Sequence, residues 1–522
     1  MKMETFDNRR WWALGAIMLA VLAVGLDITV LSVALPTLAT GLHAAESELQ
    51  WFSAGYALAL AAAMLPAGVL GDRFGRKKVM MTSLVMFGLG SAACSYAANP
   101  GMFIIARIIL GAAGAGLTVT ALSVITVIFS EEERPRAVGL WAAANFLAMP
   151  IGPILGGWLL SHFWWGWVFL MNVPVVIIGI IAVLVAVPES RDPAKPGLDP
   201  LGMFLVSGGT AIVVYGLIEA GVKGWNDPGS LGSLAGGVAA LVMFCLWERF
   251  LGGRPHGQPL VDLSLFRSAA FAWGSILAAV GLLAMVGVMF TVPQYFQAIL
   301  GFDAQGSGFS LLPLIGGLML GAIPANRVVA AIGPKLTTAC GFALMAAGLA
   351  VGSTTTASSP GIFTLAWLTV FGLGIGLALT TAASTALVVL PAERAGIGSA
   401  IMSAMQKLGA PLGAAILGSL LSSAYIANLA LTGVPEAAAV VVRSSVFGGL
   451  AVARELGSAS IAREVEIAFM RGMDIALLVS AGLAVAGLIL ALLFIPARMP
   501  RTNEHDQDTT TLREGNDVGA GG

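Results

Sequence analysis

Charge is scarce in this chain. Asp, Glu, Lys and Arg make up 11% of its 522 residues, and 57% are hydrophobic; an ordinary soluble domain carries about 25% charged residues. That balance excludes a water-soluble globule and leaves a polytopic protein whose main partner is the lipid bilayer. Basic excess is lacking too. The formal net charge is −1, so the basic face that a nucleic-acid partner needs is absent. Cysteine is rare, and Cys94, Cys245 and Cys340 all fall within apolar runs, which argues against a disulfide framework. No Gly-Lys dipeptide occurs, so no Walker A loop exists and ATP is not the direct fuel. No metal or cofactor centre is expected. The first apolar run is longer than the roughly 7–15 residues of a signal-peptide core and follows Glu4 and Asp7, so it reads as an uncleaved span.

What the chain has instead is long apolar runs. A helix crossing a ~30 Å hydrocarbon core needs about 20 apolar residues. Candidate spans lie near 12–35, 51–70, 79–98, 103–128, 137–160, 167–187, 201–220, 230–247, 270–292, 308–325, 336–352, 362–386, 397–423 and 473–495. The fold expected is therefore an all-α polytopic membrane protein with fourteen transmembrane helices; β-barrel spans would show ~10-residue alternation. With both termini cytoplasmic, twenty of the 27 Lys and Arg fall in inner segments, as the positive-inside bias requires. Four of the five outer ones (Arg443, Arg454, Arg463 and Arg471) share a long loop at 424–472, where one or two amphipathic helices are expected around Arg454 to Glu466. The polar tail at 496–522 has little to bury and is expected to be disordered.

Asp27 lies in the middle of the first run, between Leu26 and Ile28, while every other acid falls in a loop, a tail or a span end. A carboxylate at bilayer depth is costly to keep ionised, so Asp27 is the natural proton carrier. Arg107 sits at similar depth in the fourth run. It costs about 2.5–3.5 kcal/mol on insertion scales and needs a partner; hydrogen bonds to a neighbouring helix would be the structural answer, and Asp27 the functional one.

Four motifs surround these residues. The loop after the second span carries Gly68, Asp72, Arg73, Gly75, Arg76 and Lys77 as G-x-L-x-D-R-x-G-R-K, and a fainter copy with Ala330 in place of the acid precedes Gly333 and Lys335. The first span reads L-D-x-T from Leu26 to Thr29 and ends A-L-P at Pro36, with Ser32 between; the fourth carries Arg107 and Gly111, and the fifth Gly152, Pro153, Gly156 and Gly157. In this set the chain resembles the major facilitator superfamily, and within it the fourteen-helix drug:proton antiporter family of quaternary-ammonium and multidrug efflux pumps. It departs from that pattern at Ser32, where Asn is usual, and at Ala54 and Lys407, in regions where some relatives hold acids.

The resemblance implies two six-helix bundles that rock about a central cavity. Residues 1–11 would form a cytoplasmic N-terminus, 12–187 the first bundle, 188–269 a linker with two extra helices, and 270–495 the second bundle. It implies a monomer in the plasma membrane of a bacterium, driven by the proton motive force. Asp27 and Arg107 would couple protons, and the loop around Asp72 would gate, Asp72 latching onto the start of the thirteenth span. Gly152 to Gly157 would seal the cavity in one state. Substrates would be hydrophobic, often cationic antiseptics, dyes or antibiotics. Tyr56, Trp141, Phe146, Met149, Met285, Met289, Phe290, Met402 and Met405 lie on helices that can face inward, and Met and aromatics re-pack around varied guests; lipid-facing or packing duty is the plainer reading of each alone. Lys407 either snorkels or faces the cavity. Export of an endogenous lipid-like metabolite or antibiotic is the alternative. A proton-coupled importer fits the Gly152-Pro153 motif less well, and a non-transporting scaffold or receptor has no use for the intact Asp27, Asp72 and Arg107.

Overall fold

The computed structural model describes residues 4–130, 133–190, 199–254, 259–261, 263–389, 392–431 and 434–497. The tail expected to be disordered lies almost wholly outside them. The described residues are helical from end to end, in chain order α1 (Glu4–Gly41), α2 (Glu46–Phe74), α3 (Arg76–Ser95), α4 (Pro100–Ile128), α5 (Arg134–His162), α6 (Trp167–Leu170) and α7 (Asn172–Ala186). There follow α8 (Pro200–Lys223), α9 (Pro228–Gly252), α10 (Ala269–Gln294), α11 (Ala304–Ser310), α12 (Leu312–Ala322) and α13 (Ala325–Gly352). The last are α14 (Gly361–Val388), α15 (Ala392–Asn428), α16 (Glu436–Ser444), α17 (Val446–Glu455) and α18 (Ala459–Phe494). Among the described residues eleven helices are long and apolar enough to cross a membrane, or twelve if α2, bent by 44° before Pro66, counts as one span.

Local chemistry sets the helix starts. Asn99, Asp199 and Asp227 each stand before a proline, and each side chain accepts from a backbone N–H three residues on, at 2.9, 3.0 and 2.9 Å. Each thereby satisfies an orphan amide, while the proline that follows sacrifices none. Several boundaries differ from the expected ones. The sixth span is broken at Met171 and the tenth at Leu311. The last helix begins at Ala459, with Ser458 as its cap, so the charges at Arg463, Glu464 and Glu466 belong to its first turns and not to a loop. The amphipathic helices of the far loop are α16 and α17 instead, whose apolar faces (Val442, Val446, Val452) are buried.

Helices α1 to α7 pack chiefly on one another, as do α10, α12 to α15 and α18, whereas α11 packs chiefly on α5. Between them in sequence, α8 and α9 pair together, and α8 leans on α15 and α2. Only 17% of the most apolar window of α9 is buried, as befits a peripheral helix in lipid. Small residues allow the closest contacts: Gly317 and Gly321 of α12 face the α14 backbone at Thr369 and Leu373, while Gly372 and Gly376 of α14 face Leu314 and Leu318. In lipid, where apolar burial does not draw helices together, such mutual close approach supplies the packing energy.

Candidate functional site

Asp27 and Arg107 form an ion pair inside the first bundle, only 2% and 1% exposed. An Arg107 Nη1–H donates to Asp27 Oδ2, and Nε–H donates to the Phe52 carbonyl at 3.0 Å. Its guanidinium also lies 4.3 Å from the Tyr56 ring centre and 5.9 Å from that of Phe169. The cation is thus paired, hydrogen-bonded and stacked, which is what keeps a buried Arg tolerable. Asp27 Oδ1 has no hydrogen-bond partner among the described residues.

Beside this pair lies a cavity of about 290 Å³ between the bundles. Arg107 is on its wall, with Thr29, Ser32 and Ser53 on the same side and Gln406 and Lys407 on the other. Of the residues expected there, Tyr56, Met285, Met289, Phe290 and Lys407 line it. Trp141 instead packs against the core of the first bundle, and Met402 sits with Leu205, Phe244 and Phe271 on the α8 and α9 side. Their helices are apolar nearly all round, so the sequence does not reveal which face turns inward. The side chains of Phe146 and Met149 lie outside the described residues.

The fifth-span motif works as a two-sided packing face. A side chain at Gly152 would strike the Thr29 hydroxyl, and one at Gly156 would strike Val30, both on α1. On the opposite side Gly157 abuts the Ala304 backbone, and Gly308 abuts the Pro153 carbonyl. The motif therefore holds α5 against α1 in its own bundle and against α11 in the other.

That contact belongs to a seal at the end of the molecule away from the termini. Gln294 Nε2–H donates to buried Glu46 at 3.2 Å, Gln297 donates to the Val33 carbonyl at 3.0 Å, and Ser161 donates to Asp303 at 3.2 Å. A short π-helical turn, Tyr295–Ile299, places Gln297 there. The sequence reading did not single out Glu46, Gln294 or Gln297; two glutamines in the apolar run from Ala269 were the available signal.

The loop between α2 and α3 is held within its own bundle. Asp72 accepts from Arg76 at 2.9 and 2.8 Å, Lys77 donates to the Leu184 carbonyl at 2.9 Å, and the Arg76 amide donates to the Ser190 carbonyl at 2.9 Å. Arg73 lies over Phe74, and Gly68 packs on Val119. Gly75 makes the turn with φ +119°, a conformation that favours glycine. Arg76 holds the Asp72 carboxylate; the side chains at 392–397, where a latch from Asp72 to the start of α15 is expected, lie outside the described residues.

The fold has counterparts. Residues 17–414 match the Major Facilitator Superfamily. The tetracenomycin C resistance and export protein of Streptomyces glaucescens is 32% identical over 499 residues, covering 93% of this chain and 91% of that protein. The multidrug efflux pump LfrA of Mycolicibacterium smegmatis is 28% identical, covering 87% and 89%. In structure, a bacterial homologue of the human lysosomal transporter Spinster, inward-facing and unoccupied, superposes with a TM-score of 0.67 at 16% identity over 95% of this chain and 99% of that one. The chain belongs to the major facilitator superfamily of multi-pass membrane transporters.

Proposed function

We propose that this transporter exports hydrophobic drug-like compounds from a bacterial cell in exchange for protons. The observation that carries the reading is the buried Asp27–Arg107 pair, whose arginine lines the cavity, with Asp27 Oδ1 unpartnered among the described residues. A proton arriving at Asp27 cancels the charge that holds Arg107. The guanidinium then has reason to shift, and the cavity changes with it; loss of the proton on the other side restores the pair. At about 2.3 kcal/mol per charge per 100 mV, the membrane potential supports a substantial drug gradient.

Fourteen spans with both termini cytoplasmic complete the reading, supported by the charge bias of the loops. The seal at the far end would then close the outside, leaving the cavity to load from the cytoplasm. Met285, Met289 and Phe290 on the wall favour hydrophobic guests; the often cationic character that the resemblance implies finds no acid on that wall among the described residues. Export of an endogenous antibiotic is the second reading, favoured by the similarity to a tetracenomycin C resistance and export protein.

The test is substrate-induced proton release from everted vesicles acidified by respiration. Intact protein should release protons on substrate addition, and Asp27→Asn at equal expression should not. Equal release from both, or none from the intact protein, overturns proton exchange.

A further inference from the structure

The cavity is unevenly charged. Its described lining contains two cationic side chains, Arg107 and Lys407, and no Asp or Glu. Arg107 is committed, because Asp27, the Phe52 carbonyl and the Tyr56 ring already engage its guanidinium. Lys407 is not. It stands on the opposite wall, well inside α15, half-buried, with no hydrogen bond or ion pair to any described residue. A lysine that served only to snorkel would carry its ammonium to the membrane surface; this one ends at the cavity. Its neighbours there are apolar (Leu282, Met285, Met289) or neutral and polar (Gln406).

A cation entering this space meets an ammonium and no free counter-acid. An anion meets an uncompensated positive charge in a poorly solvated setting, where charge-assisted hydrogen bonds are at their strongest. We propose that Lys407 makes this cavity a binding site for apolar ring compounds bearing an acidic group, a carboxylate or an ionised phenol, which Lys407 receives. The inference rests on the export reading above and replaces its cationic guests with acidic ones. The rings lie against the methionines and Phe290, and Gln406 serves neutral oxygens on the same guest.

Three probes separate charge from shape: rhein, which is a dihydroxyanthraquinone carboxylate, its neutral methyl ester, and ethidium. Full-length protein in lipid nanodiscs is titrated with each at neutral pH, beside Lys407→Arg, Lys407→Met and Lys407→Glu. The intact protein is expected to bind the acid about tenfold more tightly than the ester, a difference of about 1.4 kcal/mol. Lys407→Arg keeps that preference, Lys407→Met reduces the ratio to about one, and Lys407→Glu shifts preference to ethidium. Equal binding of acid and ester by the intact protein, no binding of either, or an unchanged ratio in Lys407→Met overturns the inference. Proton release from vesicles driven by the ester is measured in parallel. If it persists without an acid preference, proton exchange stands and only the substrate class falls; if no probe moves protons, proton exchange falls by itself.

Discussion

Gly75 and Gly333 occupy corresponding places in the two halves of the chain, and the contrast around them separates architecture from mechanism. Gly75 turns the chain between α2 and α3 at φ +119°, and Gly333 breaks α13 at φ +85°. A side chain at Gly75 would meet Glu189, and one at Gly333 would meet the Ala497 carbonyl. Each of those residues follows the last long helix of its own half, so the same backbone turn is braced by the same part of each repeat. The charges are not repeated. Three residues before Gly75 stands Asp72, clamped by Arg76; three before Gly333 stands Ala330. The same asymmetry holds on the cavity wall and beside it, where among the described residues the first half carries the pair Asp27–Arg107 and the second only Lys407. Shared backbone geometry with unshared charge is what a repeat retains when the fold is needed twice and the proposed proton chemistry once.

The sharpest way to break that comparison is to delete a deep charge in each half. Arg107→Leu leaves Asp27 buried without its partner, which should cost about 3–5 kcal/mol. It should appear as a large fall in folded yield and melting temperature in detergent. Lys407→Leu leaves no described partner stranded and should lower the melting temperature far less. Comparable losses would mean that the second half has a hidden charge network of its own.

Replacing the two glycines probes the shared part. Gly75→Ala and Gly333→Ala each force a side chain into positive φ, worth roughly 1–3 kcal/mol of strain. Gly333→Ala should be the worse of the two, because its new methyl meets a backbone carbonyl while that of Gly75→Ala meets a flexible glutamate. Thermal unfolding of the two variants checks the order, and the reverse order would deny that Glu189 and Ala497 brace equivalent turns.

These residues also show how much was readable beforehand. Asp27 and Arg107 stood out because a charge at bilayer depth needs a partner, and only one such acid was on offer. The turn at Gly75 was legible from its motif, and its second-half copy from the fainter echo that keeps Gly333 and Lys335. Glu46 was not, since an acid at a span end looks solvated until another bundle covers it; it is 4% exposed and accepts a hydrogen bond from Gln294 of α10. Met402 and Trp141 were beyond reach for a different reason, because a helix apolar on all sides gives no rotation. Gln294→Leu therefore tests something only the three-dimensional structure reveals. It strips the buried Glu46 carboxylate of its described donor, at about 1–3 kcal/mol, and should loosen the seal. Labelling of a cysteine introduced at Val33 by a membrane-impermeant thiol reagent should rise in that variant, and unchanged labelling would show that the seal does not depend on this hydrogen bond.

The smallest effect on stability concerns Asp72. Its bonds to Arg76 are partly exposed and worth about 0.2–1 kcal/mol, so Asp72→Asn should hardly alter folding. If the carboxylate leaves Arg76 to meet the N-terminus of α15 when the bundles rock, as the resemblance implies, the change removes a helix-dipole contact worth about 0.3–1 kcal/mol in the rocked state. Two effects of similar size then oppose each other, and the population of states shifts by less than tenfold. The converse substitution, Ala330→Asp, adds an acid to the second-half turn at the matching position, where Lys335 stands in place of Lys77 and Pro334 in place of Arg76. Without an arginine at that position the new carboxylate has no alternative partner to exchange between the two states, so transport should not improve. Transport rate and thiol accessibility near Arg73, measured for both variants, decide the matter. A slowed Asp72→Asn beside an unchanged Ala330→Asp keeps the asymmetry of the halves, whereas a faster Ala330→Asp would mean that the acid alone makes the latch.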